Sequence, residues 1–328
     1  MARHNLSKQR SLDITCASGQ PSPMSRRGCA ALLALAGTLA SARSVTAQAA
    51  VASDLWQVAA GTLVVPSSLA NDASAALWTP ATLLAPSGPS VRLGVEAVHA
   101  PSDVGLSGGI ASASIRLGTL GTLNAIYGRM GFDGLVRTET SPEGIGDIPV
   151  YAEVVSIGFA RAVAPGLVTG VALRSVAGQL DASSRDQLGV DFGARYSVAS
   201  HLTLGFSTRF FDPTFRQAAE AASYNLGASF ETAPALLWGT YVTAVLRYGA
   251  TLMHGEGMQH LLSGGLSLGG GLQVDAGAAR ETEAGTAVWR SRFGLAVAVG
   301  KYRIYLGRDG GVNDFGATYR FGLIAGVR

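Results

Sequence analysis
Beyond residue 89 the chain settles into one texture. Segments of about ten residues alternate apolar with small or polar positions, and turn residues separate them. Gln187–Val198 sets Leu188, Val190, Phe192, Ala194 and Tyr196 against Gly189, Asp191, Gly193, Arg195 and Ser197. His201–Phe211 sets Leu202, Leu204, Phe206 and Phe210 against Thr203, Gly205, Ser207 and Arg209. Val288–Gly300 opposes Trp289, Phe293, Leu295, Val297 and Val299 to Arg290, Arg292 and Gly294. Asp314–Gly326 opposes Phe315, Tyr319, Phe321 and Leu323 to Gly316, Thr318, Arg320 and Gly322. Successive side chains of a strand point to opposite faces, so each segment reads as a strand with one greasy and one small-or-polar face.

The pattern predicts fourteen strands, over 90–99, 108–117, 119–130, 151–162, 167–177, 187–198, 201–211, 221–231, 238–250, 260–268, 270–280, 287–300, 301–308 and 314–326. An even number of such strands suits an all-β fold, an antiparallel transmembrane β-barrel, because ten residues tilted near 45° roughly match the hydrocarbon thickness of a bilayer. Short connections such as Ala199-Ser200 and Gly118 are expected on the periplasmic side. Long ones, about 131–150, 178–186, 212–220 and 251–259, are expected on the extracellular side. The first of these carries Glu139, Glu143 and Asp147 and is long enough to be a partner surface.

Composition supports the same reading. Mean hydropathy is +0.27 and charged residues are 14%, against roughly 25% in an average soluble domain. Past residue 50 no apolar stretch reaches the length of a transmembrane helix, so the apolar surplus is distributed by alternation. A soluble β-sandwich also alternates, but its polar face must meet water. Here that face is largely Gly, Ala, Ser and scattered Arg. A β-helix would show a short repeat, and none is found.

The N-terminus reads as a targeting segment. Ser25-Arg26-Arg27 precedes the Ala- and Leu-rich stretch Gly28 to Ala40, and Val45-Thr46-Ala47 offers a cleavage site, giving a signal peptide over 1–47. Met24 stands where such a peptide would begin, so residues 1–23 read as an upstream start-site artefact. Removing 1–47 leaves 19 basic and 21 acidic residues and a charge of about −2, which takes away the main argument for nucleic-acid binding. Both cysteines, Cys16 and Cys29, leave with it. No disulfide framework or thiolate metal site is then expected.

Asn71-Asp72-Ala73-Ser74-Ala75-Ala76-Leu77-Trp78-Thr79-Pro80-Ala81 resembles the N-terminal signature of the PorV/PorQ and FadL-like outer-membrane barrels. Those chains carry Asp-Ala-Ser-Ala, an aromatic, then Asn-Pro-Ala ahead of the first strand; Thr79 replaces the Asn. The resemblance implies a fourteen-strand barrel with residues 48–88 as a lumen plug, in which Asn71, Asp72, Ser74, Trp78, Thr79, Pro80 and Ala81 are the candidate residues, and 89–328 as the barrel. Read on its own, the stretch is a short helix over about 72–77 stopped by a proline.

Parity turns Arg92, Arg116, Arg174, Arg195, Arg209, Arg247, Arg290, Arg292 and Arg320 into the lumen, with Glu96, Asp191 and Asp275. A charge on the lipid face would cost roughly 2–4 kcal/mol at mid-membrane. These arginines either attract an anionic headgroup or, more plainly, pair within the lumen to satisfy buried charge. Trp56, Trp78, Trp238 and Trp289, with Tyr127, Tyr248, Tyr302 and Tyr319, are expected in the interfacial girdles. The histidines of the exported chain are scattered, no catalytic, metal or phosphate-loop motif is present, and His260 and Ser263 have the wrong parity to share a face. The expectation is therefore no enzyme activity, no cofactor and no metal. The closing strand Tyr319–Val327 resembles the last-strand signal read by barrel-assembly machinery, with Arg328 where a terminal aromatic is usual.

The expected protein is an outer-membrane barrel embedded in outer-membrane lipid. Three roles suit it: passive transport of a hydrophobic or amphipathic small molecule, a PorV-like accessory that holds an exported protein at a secretion system, and a generic narrow pore.

Overall fold
The computed structural model describes residues 50–328 except 86, 102–104, 139–145, 210–221, 238, 254–256, 284–285, 312–315 and 328. The expected signal peptide, both cysteines, Trp238, Glu139, Glu143 and the 212–220 connection lie outside the described residues.

Fourteen long antiparallel strands close into one ring. They are β1 (Val91–Ala100), β2 (Leu106–Arg116), β3 (Thr122–Phe132), β4 (Val150–Ala164), β5 (Leu167–Leu180), β6 (Ser183–Ala199) and β7 (Leu202–Arg209), then β8 (Ser223–Glu231), β9 (Thr240–Met253), β10 (Gly257–Leu268), β11 (Leu272–Glu283), β12 (Thr286–Val299), β13 (Tyr302–Asp309) and β14 (Thr318–Val327). Each strand pairs with its chain neighbours, and β1 pairs with β14 in the register Val91↔Val327 to His99↔Tyr319, which closes the barrel. Closure leaves no open strand edge, as a sheet in hydrocarbon requires. A short strand, Ala235–Leu237, extends the edge of β9, and Val136–Arg137 pairs with Gly146–Asp147 in the β3–β4 connection.

All fourteen predicted strands are present. One end of the barrel has tight turns, such as Ser200-His201 and Gly300-Lys301. Gly300 (φ 61°) and Gly269-Gly270 (φ 57° and 71°) supply left-handed positions there that favour glycine. The other end carries the longer connections and is called the loop end below. Two expected loops shrink. β5 and β6 run on to Leu180 and Ser183, leaving Asp181-Ala182 as the turn, with Asp181 at φ 52°. Aspartate tolerates that conformation better than most residues, and the ladder hydrogen bonds outweigh a longer loop. Likewise β9 and β10 reach Met253 and Gly257, so 251–259 narrows to 254–256.

The outer wall is apolar. On β12, Val299, Val297, Leu295, Phe293 and Trp289 all point outward and are exposed. Ten residues at about 3.4 Å, tilted near 45°, give this stripe a height of roughly 24 Å. Inside the ring lie residues 55–85. Helix α1 (Ala50–Gly61) is followed by a 3-10 turn (Ser67–Leu69) and the short helix α2 (Ala75–Trp78). Leu55, Trp56, Ala59 and Trp78 form one buried cluster with Val98, Ile110, Ile126, Met130 and Val154 of β1–β4. Trp56 and Trp78 are therefore core residues, each 0% exposed, and not interfacial as expected. Trp289 (66% exposed) points outward.

Small residues on the wall make room for this inner segment. A side chain at Gly249 would meet Pro66 at 2.9 Å, one at Gly205 the Ser68 carbonyl at 2.7 Å, and one at Gly193 the Ala81 nitrogen at 2.8 Å. Glycine allows that close approach of backbone to wall, which explains why the inward face of so many strands is glycine.

Candidate functional site: the lumen and its inner segment
The inner segment is mostly extended or turning backbone, and its carbonyls need donors inside the ring. The inward arginines supply them. Arg174 Nη2 donates to the Leu77 carbonyl (2.8 Å), Arg195 Nη2 to Ala70 (3.0 Å) and Arg292 Nη1 to Leu63 (3.1 Å). Arg116, near the turn end, donates to Ala85 at 2.6 Å. Shorter side chains do the same work, with Ser112 Oγ on Ala73 (2.5 Å) and Ser207 Oγ on Trp78 (3.0 Å).

The same arginines pair with acids on neighbouring strands. Arg174 and Asp191 form a fully buried pair at 2.5 Å, and Arg247 meets Asp275 at 2.7 Å. Arg290 pairs with Glu281 and Asp309, and Arg292 with the same two, making a network of two cations and two anions. Arg320 pairs with Glu96 and lies 3.5 Å from Asp72. Around it Ser74 N donates to Glu96 (2.7 Å), Trp78 Nε1 donates to Ser74 Oγ (2.6 Å), and Tyr305 Oη donates to Glu96. This cluster ties the Asp72–Trp78 stretch to β1, β13 and β14. Burial pushes the Asp72 carboxyl up to about 6, with Glu96 adding to the rise and Arg320 opposing it.

Of the residues singled out from the signature, Ser74, Trp78, Thr79, Pro80 and Ala81 are buried against the wall, Asp72 is half-buried in the Arg320 cluster, and Asn71 is exposed to the lumen. Arg92 has a buried Nη2 without a hydrogen-bond partner among the described residues. The sequence reading missed Glu281 and Asp309. Both sit one residue beyond the predicted ends of their strands, and extending the alternation by one position would have found them. It also missed Tyr305, whose inward parity was readable, and helix α1 with Gln57, whose apolar face has no partner in the local pattern.

Two cavities flank the inner segment. At the loop end a space of about 440 Å³ is bounded by Leu55, Val58, Leu106, Phe132 and Leu261, with Arg209 and the Arg290–Asp309 network on its polar side. At the turn end a space of about 330 Å³ is lined mainly by polar groups, among them Arg195, Thr203, Ser229, Glu231, Thr243 and Ser267. Val65 borders both. Arg209 is 1% exposed; its Nε donates to Ser223 Oγ (3.1 Å), its Nη2 to Gln57 Oε1 (2.9 Å), and its guanidinium lies 5.2 Å from the Trp78 ring. Its Nη1 has no partner among the described residues. Among those residues no three His, Cys, Asp or Glu side chains are grouped to hold a metal ion. His260 faces outward onto Tyr248 and Ser263 is buried inward, on opposite faces as the parity required.

No family model matches the chain, and no curated protein does. Among solved structures, the chain is similar to the Acinetobacter baumannii outer membrane protein Omp33 at 7% identity and TM-score 0.44, covering 73% of this chain and 98% of that one. It is similar to the Ralstonia pickettii toluene transporter TbuX at 12% identity and TM-score 0.48, over 77% and 94%. It is also similar to a mutant of the monoaromatic hydrocarbon channel TodX at 13% identity and TM-score 0.48, over 76% and 92%.

Proposed function
We propose that the protein is a bacterial outer-membrane barrel whose lumen is plugged by its own residues 48–88 and which passes a hydrophobic or amphipathic small molecule. The observation that carries this reading is the cavity of about 440 Å³ at the loop end, with an apolar side and a buried Arg209 whose Nη1 has no partner among the described residues. That volume lies within the usual range for small-ligand pockets, which are mostly apolar with a few placed polar groups. The apolar part of a ligand would lie on Leu55, Val58, Leu106 and Phe132, and an anionic or polar head would take Arg209 Nη1. The outward apolar stripe supports the membrane placement, because a surface of that kind is stable in lipid and not in water.

The test is a heat-modifiability gel on the detergent-extracted protein, with and without a long-chain fatty acid. The folded barrel is expected to migrate faster unboiled, and ligand is expected to raise its unfolding temperature in the wild type but not in Arg209→Gln. A wild-type barrel indifferent to the fatty acid, and recovered with a bound exported protein, would move the reading to a secretion accessory. A protein found soluble in the periplasm would remove the membrane placement altogether.

A further inference from the structure
We infer that the outer wall at the loop end carries a binding site for a membrane lipid with a phosphate headgroup, centred on Arg280. The inference rests on the membrane placement above and on a different part of the molecule from the lumen cavity. Arg280 is exposed on the outward face of β11, opposite His260 of β10 and Trp289 of β12 in the ladder. His260 Nδ1 lies 2.7 Å from Tyr248 Oη on β9, so four adjacent strands present Tyr, His, Arg and Trp side by side.

On β12 the patch sits at the upper border of the apolar stripe, while on β9 and β10 the exposed Leu252 and Met258 carry the apolar surface one ladder position further. Trp289 ends the run that begins at Val299, and Leu262 and Ala278 are the outward residues just below His260 and Arg280. A guanidinium at mid-membrane would be costly, but at this height it reaches the headgroups. Aromatic side chains settle at the same level.

Among the described residues Arg280 has no ion-pair partner, a condition it shares with the lumenal Arg195 and Arg209, which bond neutral groups instead. Arg174, Arg247, Arg290, Arg292 and Arg320 each pair with an acid. Of the other outward arginines with aromatic company, Arg129 is paired with Glu153 at 2.9 Å and lies 4.2 Å from the Tyr151 ring, and Arg308 stands between Phe293 and Tyr319 in the ladder. A lipid phosphate is the anion available at this depth. It matches the guanidinium by charge-assisted hydrogen bonds, while the flanking Trp289 and Tyr248 rings cover the glycerol and upper acyl region.

The experiment titrates the purified, detergent-solubilised barrel with phosphatidic acid and follows the temperature of its heat-modifiability transition. Phosphatidylcholine and inorganic phosphate serve as comparison ligands, and Arg280→Gln and Arg161→Gln as variants. Arg161 is exposed on the outer wall near the turn end. The expectation is that phosphatidic acid raises the transition and phosphatidylcholine does not. In Arg280→Gln the lipid concentration giving half the shift should rise about tenfold, the loss of one charge-assisted contact, while Arg161→Gln should behave as wild type. Equal shifts with both lipids, an unchanged Arg280→Gln, or a shift given by inorganic phosphate alone would each overturn the lipid site. A protein with no heat-modifiable form would overturn the membrane placement and this site with it, whereas a heat-modifiable barrel without lipid preference would overturn this site only.

Discussion

The inner wall of the barrel has two unlike sides. Toward the loop end, β1–β5 turn Val98, Leu106, Ile110, Ile126, Met130, Val154 and Val176 inward onto Leu55, Trp56, Ala59 and Trp78, a hydrophobic core like that of a water-soluble domain. Across the lumen, β7, β9 and β11–β14 turn in Arg209, Arg247, Asp275, Glu281, Arg290, Arg292, Asp309 and Arg320. The first side holds the inner segment mainly by area and shape, with Arg174 of β5 bonding the Leu77 carbonyl beside Asp191 of β6 where the two sides meet. The second holds it by arginines that bind its carbonyls while pairing with acids. Removing an apolar contact leaves a void, whereas removing one member of an ion pair leaves its partner as an unmatched buried charge.

Trp56→Ala should give the largest effect. A Trp truncated in a closed core costs about 3–5 kcal/mol, read as a drop in the temperature at which the unboiled band is lost. A shift no larger than that of an outward substitution would show that α1 does not depend on this side. Arg174→Met comes next, with a loss of about 3 kcal/mol or slightly more. Its double mutant with Asp191→Leu should recover much of that, because the stranded carboxylate is then gone. A double mutant no better than the single would mean that the hydrogen bond to Leu77 outweighs the pair. The smallest effect comes from Asp72. Its folded pKa, about 6, lies above the unfolded value of 3.8, so the folded state binds the proton more readily. Stability should therefore rise as pH falls through about 6 toward 4. In Asp72→Asn this component should vanish, and an identical pH profile for the two proteins would exclude it.

Much of the wall was legible in the sequence because strand parity is a local property. Leu204, Ser207 and Arg209 take the faces that alternation assigned, and fourteen segments became fourteen strands. The inner segment was less legible. The Asp72–Ala81 stretch stood out by resemblance, and its helix was expected over 72–77 but forms over Ala75–Trp78. Trp56 could not be placed, because a tryptophan in an exported chain suits a membrane interface as well as a core, and only the wall across from it decides. The lumen charges were half visible: parity assigned the arginines inward, but their choice between acids and carbonyls depends on which strand residues close the distance.

Alternation by itself determined the number of strands, the face of each side chain and the barrel class, since a period of two and a turn are encoded within a dozen residues. Which glycines would lie beneath Pro66, Ser68 and Ala81, what the Arg209 guanidinium would meet, and how the lumen would divide into an apolar and a polar cavity were decided only by closure. β1 meets β14 across more than two hundred residues of chain, and the register of that meeting sets which side chains share the interior.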